Sequence, residues 1–168
     1  IVDLHGDRPA RDFATALCLR NLLPSLTEGL REIQMSADTG RRPVIVLHGR
    51  DDGLIAVNHT SRAWYALRQQ RPFAQAVRYY EIEHVQHFDA FVPLPQMRGN
   101  YLPMQPFLNA ALDLMWRRLT TAERLPPSQL WRTRPGSEPL DTAQLGALRR
   151  NPGPDHIRVA SRTLLIPD

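Results

Sequence analysis

Lysine is absent from this 168-residue chain, and cysteine occurs once, as Cys18. A single thiol cannot close an internal disulfide, which excludes the small disulfide-stapled scaffolds. No uncharged run approaches the roughly 18 apolar residues that a membrane span requires, and no basic-then-apolar leader pattern is visible. All 21 basic side chains are arginines, balanced by 17 acids to a net charge of +4. They are scattered, at most paired (Arg41–Arg42, Arg117–Arg118, Arg149–Arg150), with acids among them. A phosphate-binding surface calls for a dense basic run with interleaved aromatics. Neither a nucleic-acid nor a membrane partner is expected.

What is present suits a globular α/β chain. Apolar residues make up 42% of the sequence, enough for a packed core, and the length fits one domain or a piece of a larger one. The first forty residues read as two helices. One carries its stripe on Phe13, Ala16, Leu17, Arg20 and Leu23, with Asp12 as cap. Pro24 ends it, and Ser25 with Glu28 forms a capping-box pattern for a second helix with Leu26, Leu30 and Ile33 on its apolar face. The run Pro43–His48 is aliphatic and β-branched without alternation, as suits a strand of a parallel sheet covered on both faces. A helix follows from Asn58 to Gln70, with Ala63, Trp64 and Leu67 inward, then a strand from Val77 to Ile82. Phe107–Leu119 reads as an amphipathic helix with Leu108, Ala111, Leu112, Met115 and Leu119 on one side. Trp64, Tyr65, Phe107 and Trp116 fall at helical core spacing and read as packing. Strand and helix alternate, so the fold class is α/β with a parallel sheet. Beyond Thr120, Pro and Gly thicken into an irregular tail, with a short helix near Thr142–Arg150 capped by Asp141.

In an open parallel sheet, catalytic groups gather outside the carboxyl ends of the strands. His48-Gly49-Arg50-Asp51-Asp52-Gly53-Leu54-Ile55 follows the first strand, and a loop containing His84 and His87 follows the second. An acid and a histidine at neighbouring strand ends can meet at about 2.6–3.2 Å, the acid orienting the ring while the ring acts as general base. The alternative on the same residues is a metal site built from His48, Asp51, Asp52, His84 and His87, but no Cys pair, HExxH or tight two-His-one-carboxylate spacing supports it. His48 reads as a core or turn residue, Asp51 as a solvated turn acid or a partner of Arg50, and His59 as part of a helix start. His84 competes with His87 for the role of base.

The acid segment resembles that of the α/β-hydrolase fold, in which the acid follows a Gly-x-x-Asp-x-x-(Val/Ile)-Pro pattern. Gly49, Asp52 and Ile55 match it, with Ala56 where proline is common, so the resemblance selects Asp52 over Asp51. More specific tracts are ALCLR (16–20), VLHGRDDGLIAVNHTSR (46–62), VQHFDAF (85–91), ALDLMW (111–116), LPPSQ (125–129) and the closing IPD. Together they resemble the C-terminal part of bacterial D-3-hydroxybutyrate oligomer hydrolases. The resemblance implies that residues 1–120 are the C-terminal part of an α/β-hydrolase catalytic domain and 121–168 an extension packed on it. It implies Asp52 as triad acid and His87, the residue before Phe88, as base, with Phe88, Phe91 and Tyr101 lining a substrate pocket.

In that superfamily the triad runs Ser, acid, His along the chain. No Gly-x-Ser-x-Gly occurs here, and none of Ser25, Ser36, Ser61, Ser128, Ser137 and Ser161 sits on a strand-to-helix elbow. The expectation is therefore a C-terminal fragment of a serine-type carboxylic-ester hydrolase, inert alone, whose main partner is the missing N-terminal half of the same protein. The implied substrates are 3-hydroxybutyrate oligomers cut to monomers during polyhydroxybutyrate degradation, with no cofactor and no metal required. The implied compartment is secreted or periplasmic, and the sequence itself leaves it open. Two rival readings remain: another α/β-hydrolase esterase or oligopeptidase, and a non-catalytic interaction domain of the same fold.

Overall fold

The computed structural model describes residues 24–136, 140–161 and 163–168. The expected first helix, with Asp12, Cys18 and the ALCLR tract, lies outside the described residues. The chain divides into two units between Ser36 and Ala37. The described part of the first holds helix α1 (Pro24–Ile33). Ser25 falls within the span of this helix, and Ile33, expected on the apolar face, is exposed.

The second unit is built on three parallel strands, β1 (Val44–Gly49), β2 (Val77–Ile82) and β3 (Gln129–Trp131), in that spatial order. Val44 pairs with Val77 and Gly49 with Ile82; Tyr80 pairs with Gln129 and Ile82 with Trp131. Helix α2 (Ser61–Gln69) connects β1 to β2, and helix α3 (Gln105–Thr121) lies between β2 and β3 in the chain. A four-residue helix α4 (Thr142–Leu145) follows, capped by Asp141 in a full capping box with Gln144, and a hairpin of β4 (Arg158–Ala160) and β5 (Thr163–Leu165) closes the chain. This is a mixed helix-and-strand structure with a parallel sheet, consistent with the expected α/β class.

Because successive strand residues point to opposite faces, β1 and β2 feed two cores, and β3 joins one of them through Trp131. On one face Tyr80, Ile82 and Trp131 pack with Phe107 and Leu102, flanked by Ile45 and Leu47. On the other, Val77 and Tyr79 pack with Tyr65 and Ile157, flanked by Val44 and Val46. Burying a side chain such as Phe107 stabilises by about 1.5–3 kcal/mol. Phe107 and Tyr80 meet Trp131 edge-on, at ring-centroid distances of 5.0 and 6.4 Å. β2, flanked on both sides, is almost wholly buried. β1 is half-buried rather than fully covered as expected, because among the described residues it has a strand neighbour on one edge only.

Three sequence expectations give way here. Helix α2 buries Ser61, Tyr65 and Arg68, leaving Ala63 exposed and Trp64 and Leu67 half-buried. The reason is polar satisfaction: the Tyr65 hydroxyl donates to Ser128 Oγ at 2.8 Å, and Ser61 Oγ lies 3.0 Å from the Tyr79 hydroxyl. Arg68, fully buried, donates to Thr39 Oγ1 and to the carbonyls of Gly40, Pro72 and Phe73 at 2.9–3.0 Å. A hydropathy stripe cannot anticipate a buried arginine whose partners are mostly main-chain carbonyls. In α3 the buried residues are Phe107 and Ala111, while Leu108, Leu112, Leu119 and Trp116 face outward. Finally, the tail supplies β3, which no periodicity announced in three residues. Gln129 holds it, its amide donating to the Pro127 and Arg149 carbonyls and accepting from Arg149 N–H.

Candidate active site

The acid turn and the histidine loop are joined through their backbones before any side chain is involved. Arg50 N–H donates to Ile82 O at 2.7 Å, and Asp51 N–H donates to Val85 O at 3.1 Å. Gly49 makes this approach possible, since a Cβ there would collide with the Val85 carbonyl. The turn then closes on Asp52, whose Oδ1 accepts Leu54 N–H at 3.0 Å and Ile55 N–H at 2.7 Å. That leaves Oδ2 free to face the neighbouring loop.

Asp52 Oδ2 lies 2.9 Å from His87 Nδ1. The two side chains thus meet beyond the carboxyl ends of adjacent parallel strands. Asp52 is buried, with 6% of its side chain exposed, whereas His87 retains 29% and is open to solvent on one side. Burial works to raise the Asp52 pKa, but hydrogen bonds from Ile55 N–H, His87 and Leu54 N–H outweigh it and hold the carboxyl below its ordinary value of 3.8. The acid is therefore ionised at neutral pH and faces the Nδ1 edge of the ring. Nε2 of His87 has no hydrogen-bond partner among the described residues.

The competing candidates are placed elsewhere. His84, in a left-handed conformation (φ 55°), holds Thr133 Oγ1 at 2.9 Å through Nδ1, and its carbonyl accepts Leu102 N–H at 2.7 Å. It ties loops together and does not approach Asp52 as His87 does. Asp51 is exposed, and Arg50 turns from it to Glu81 and to the Pro167 carbonyl. His48, read from sequence as a core or turn residue, has a more specific place: its Nε2 lies 3.0 Å from Ile55 O and 3.3 Å from Asp52 Oδ2. The signal was available, since His48 and Asp52 stand four residues apart around Gly49. Among the described residues, no three His, Cys, Asp or Glu side chains converge as metal ligands. No described helix is long and apolar enough to cross a membrane.

The aromatic candidates divide. Phe88 meets the His87 ring edge-on at 4.4 Å, and Phe91 meets Phe88 at 5.2 Å; both are half-exposed. Tyr101 instead lines a cavity with Asp89 and Val92. The loop itself is fixed by Asp89, whose oxygens accept Met104 N–H at 2.6 Å and Gln105 N–H at 3.0 Å at the start of α3. Beneath the turn, Glu81 is wholly buried and satisfied: Arg62 grips both oxygens, the Tyr79 hydroxyl donates to Oε2 at 2.8 Å, and Arg50 Nε lies 3.4 Å from Oε1. Arg50 thereby ties the acid turn to the centre of the sheet.

Fold and geometry together define an α/β chain with an acid–imidazole pair at adjacent strand ends. The chain belongs to the 3HB-oligomer hydrolase family, whose model matches residues 5–168. Similar proteins include a D-(-)-3-hydroxybutyrate oligomer hydrolase of Paracidovorax citrulli, 38% identical over 179 residues, which covers 95% of this chain and 25% of the relative. One of the same name from Cupriavidus pinatubonensis is 41% identical over 143 residues, covering 80% of this chain and 20% of the relative. One from Burkholderia mallei is 35% identical over 177 residues, covering 99% and 25%. The chain thus spans about a quarter or less of the length of these relatives. No solved structure matches it.

Proposed function

We propose that this chain is the acid-and-base portion of a serine-type carboxylic-ester hydrolase of the α/β-hydrolase fold, acting on 3-hydroxybutyrate oligomers. The observation that carries the reading is the 2.9 Å contact between Asp52 Oδ2 and His87 Nδ1, with Nε2 left open. Residues 1–120 are the C-terminal part of the catalytic domain, and 121–168 an extension that adds β3 to its sheet. Family membership supports the substrate, because the relatives bear that activity in their names.

In this reading the nucleophilic serine and the oxyanion hole come from the rest of a longer protein. Three features favour a larger whole: the outer edge of β1 has no described strand partner, α3 presents an apolar stripe, and Gln86 Nε2, one residue before the base, is buried without a partner among the described residues. The serine hydroxyl gives its proton to His87 Nε2 as its oxygen bonds to the ester carbonyl. His87 returns that proton to the departing alkoxide as the acyl–oxygen bond breaks. Water then attacks the acyl-serine, losing its proton to Nε2, which passes it back to the serine as the acid is released. Asp52 keeps Nδ1–H oriented and balances the imidazolium. Phe88 and Phe91 form an apolar rim beside the ring.

The test uses both the intact protein and the isolated chain. Residues 1–168 alone should turn over neither a 3-hydroxybutyrate dimer nor an activated aryl ester. In the intact protein, His87→Ala and Asp52→Asn should each lower kcat by about 10⁴-fold. Turnover of the isolated chain at a normal enzymatic rate that survives Ser-to-Ala changes throughout would overturn the reading, as would full activity of the His87 variant.

A further inference from the structure

A cavity of about 480 Å³ opens on the loop that carries His87. This is an ordinary size for a small-molecule site. Asp89, Val92, Pro93 and Tyr101, all from the stretch that follows His87, stand in its lining together with the exposed Arg98. Most of the surface is apolar, so the few charges decide what fits. Asp89 is already engaged, both oxygens taken by the first N–H groups of α3. Gln144 is committed through Oε1 to the cap of α4. Arg98 makes no ion pair and no side-chain hydrogen bond among the described residues. Its backbone is nonetheless held, its N–H donating to Leu94 O at 2.8 Å within a run of tight turns that continues through Asn100 N–H to Met97 O at 3.0 Å.

We infer that this cavity is the leaving-group subsite, and that Arg98 takes the free carboxylate of a hydroxyalkanoate oligomer. The inference rests on the esterase reading and deepens it. In ester hydrolysis His87 must hand its proton to the departing alkoxide, so the leaving alcohol sits on the side of the His87 ring. When the substrate is an oligomer of a hydroxyacid, that alcohol is itself a hydroxyacid ending in a carboxylate. An apolar cavity built on the histidine's own loop, with one uncommitted guanidinium, matches a short alkyl chain ending in an anion. Tyr101 accordingly lines the leaving-group side, while Phe88 and Phe91 stay beside the ring.

The experiment compares two substrates in the intact protein: a 3-hydroxybutyrate dimer as the free acid, and its methyl ester at the same carboxyl. The wild type should show a KM for the acid at least about tenfold below that for the methyl ester. Arg98→Gln should bring the ratio close to one by raising the KM of the acid, and Arg98→Lys should restore part of it. Equal KM values in the wild type, or a ratio unchanged in Arg98→Gln, would overturn the inference. If neither substrate is turned over, the esterase reading fails separately. The cavity is then judged by calorimetric titration of the free-acid dimer into intact wild type and Arg98→Gln: weaker binding by the variant supports the subsite, and equal binding refutes it.

Discussion

His48 and His87 approach the same oxygen of Asp52 from two sides. His87 Nδ1 lies 2.9 Å from Oδ2, and His48 Nε2 lies 3.3 Å from it while also reaching Ile55 O at 3.0 Å. Because a carbonyl only accepts, Nε2 of His48 carries the proton and donates. Ile55 in turn donates its own N–H to Asp52 Oδ1, so the turn 52–55 is closed on itself through His48.

His48 is thus a positioning residue for the acid. His48→Phe in the intact protein should lower kcat several-fold to about tenfold with little change in KM, the size of one lost hydrogen bond to a neutral acceptor such as the Ile55 carbonyl. His48→Gln, which keeps a donor, should recover part of the loss. A purely structural role would instead lower the melting temperature of both variants without separating kcat from KM.

The pH response of stability follows from Asp52. Its folded pKa lies below the ordinary 3.8, lowered by the Ile55, His87 and Leu54 hydrogen bonds against the opposing effect of burial. The ionised carboxylate therefore stabilises the fold fully above the unfolded value. That contribution is lost as pH falls through the lower, folded value. Asp52→Asn should be less stable than wild type at neutral pH, and the gap should shrink on acidification. Chemical unfolding at a series of pH values checks this; a gap that widened toward acid would contradict it.

Gly49 is the narrowest point of the site. Gly49→Ala sets a Cβ against the Val85 carbonyl, where main chain must move. The expected cost is about 1–3 kcal/mol of stability, with loss of activity out of proportion, because the Asp51 N–H to Val85 O bond that aligns acid turn and histidine loop is the contact disturbed. Thermal melting alongside single-turnover kinetics measures both.

The outward stripe of α3, with Leu108 41%, Leu112 58%, Trp116 69% and Leu119 65% exposed, sits in the same unit as the edge of β1 that has no strand partner among the described residues. Both are association liabilities. Residues 1–168 expressed alone should self-associate, and Leu112→Glu with Trp116→Glu should reduce this without lowering the melting temperature. Sedimentation of the reduced wild-type chain decides: a clean, cooperatively melting monomer would speak against the need for a further part of the protein.

Sequence alone determined the elements whose signal is local. The aliphatic run at 43–48 and the stretch 77–82 announced strands of a parallel sheet, and the resemblance of 49–55 to a known acid turn singled out Asp52. Asp141 announced a helix cap that forms as expected, on a helix that ends at Leu145 rather than near Arg150. Tertiary structure decided what depends on partners remote in the chain. The inward face of α2 turned on hydroxyls of Ser128 and Tyr79, 63 and 18 residues away from the groups they meet. β3 exists because β2 offers it an edge, the contact of His48 with Asp52 arises because the turn folds back on its strand, and Asp52 meets His87 because backbone bonds from Gly49's neighbours fix one loop against the other. Periodicity reports which residues are apolar, whereas these outcomes were set by where buried polar groups found partners, and a buried donor or acceptor left without one costs about 1–3 kcal/mol.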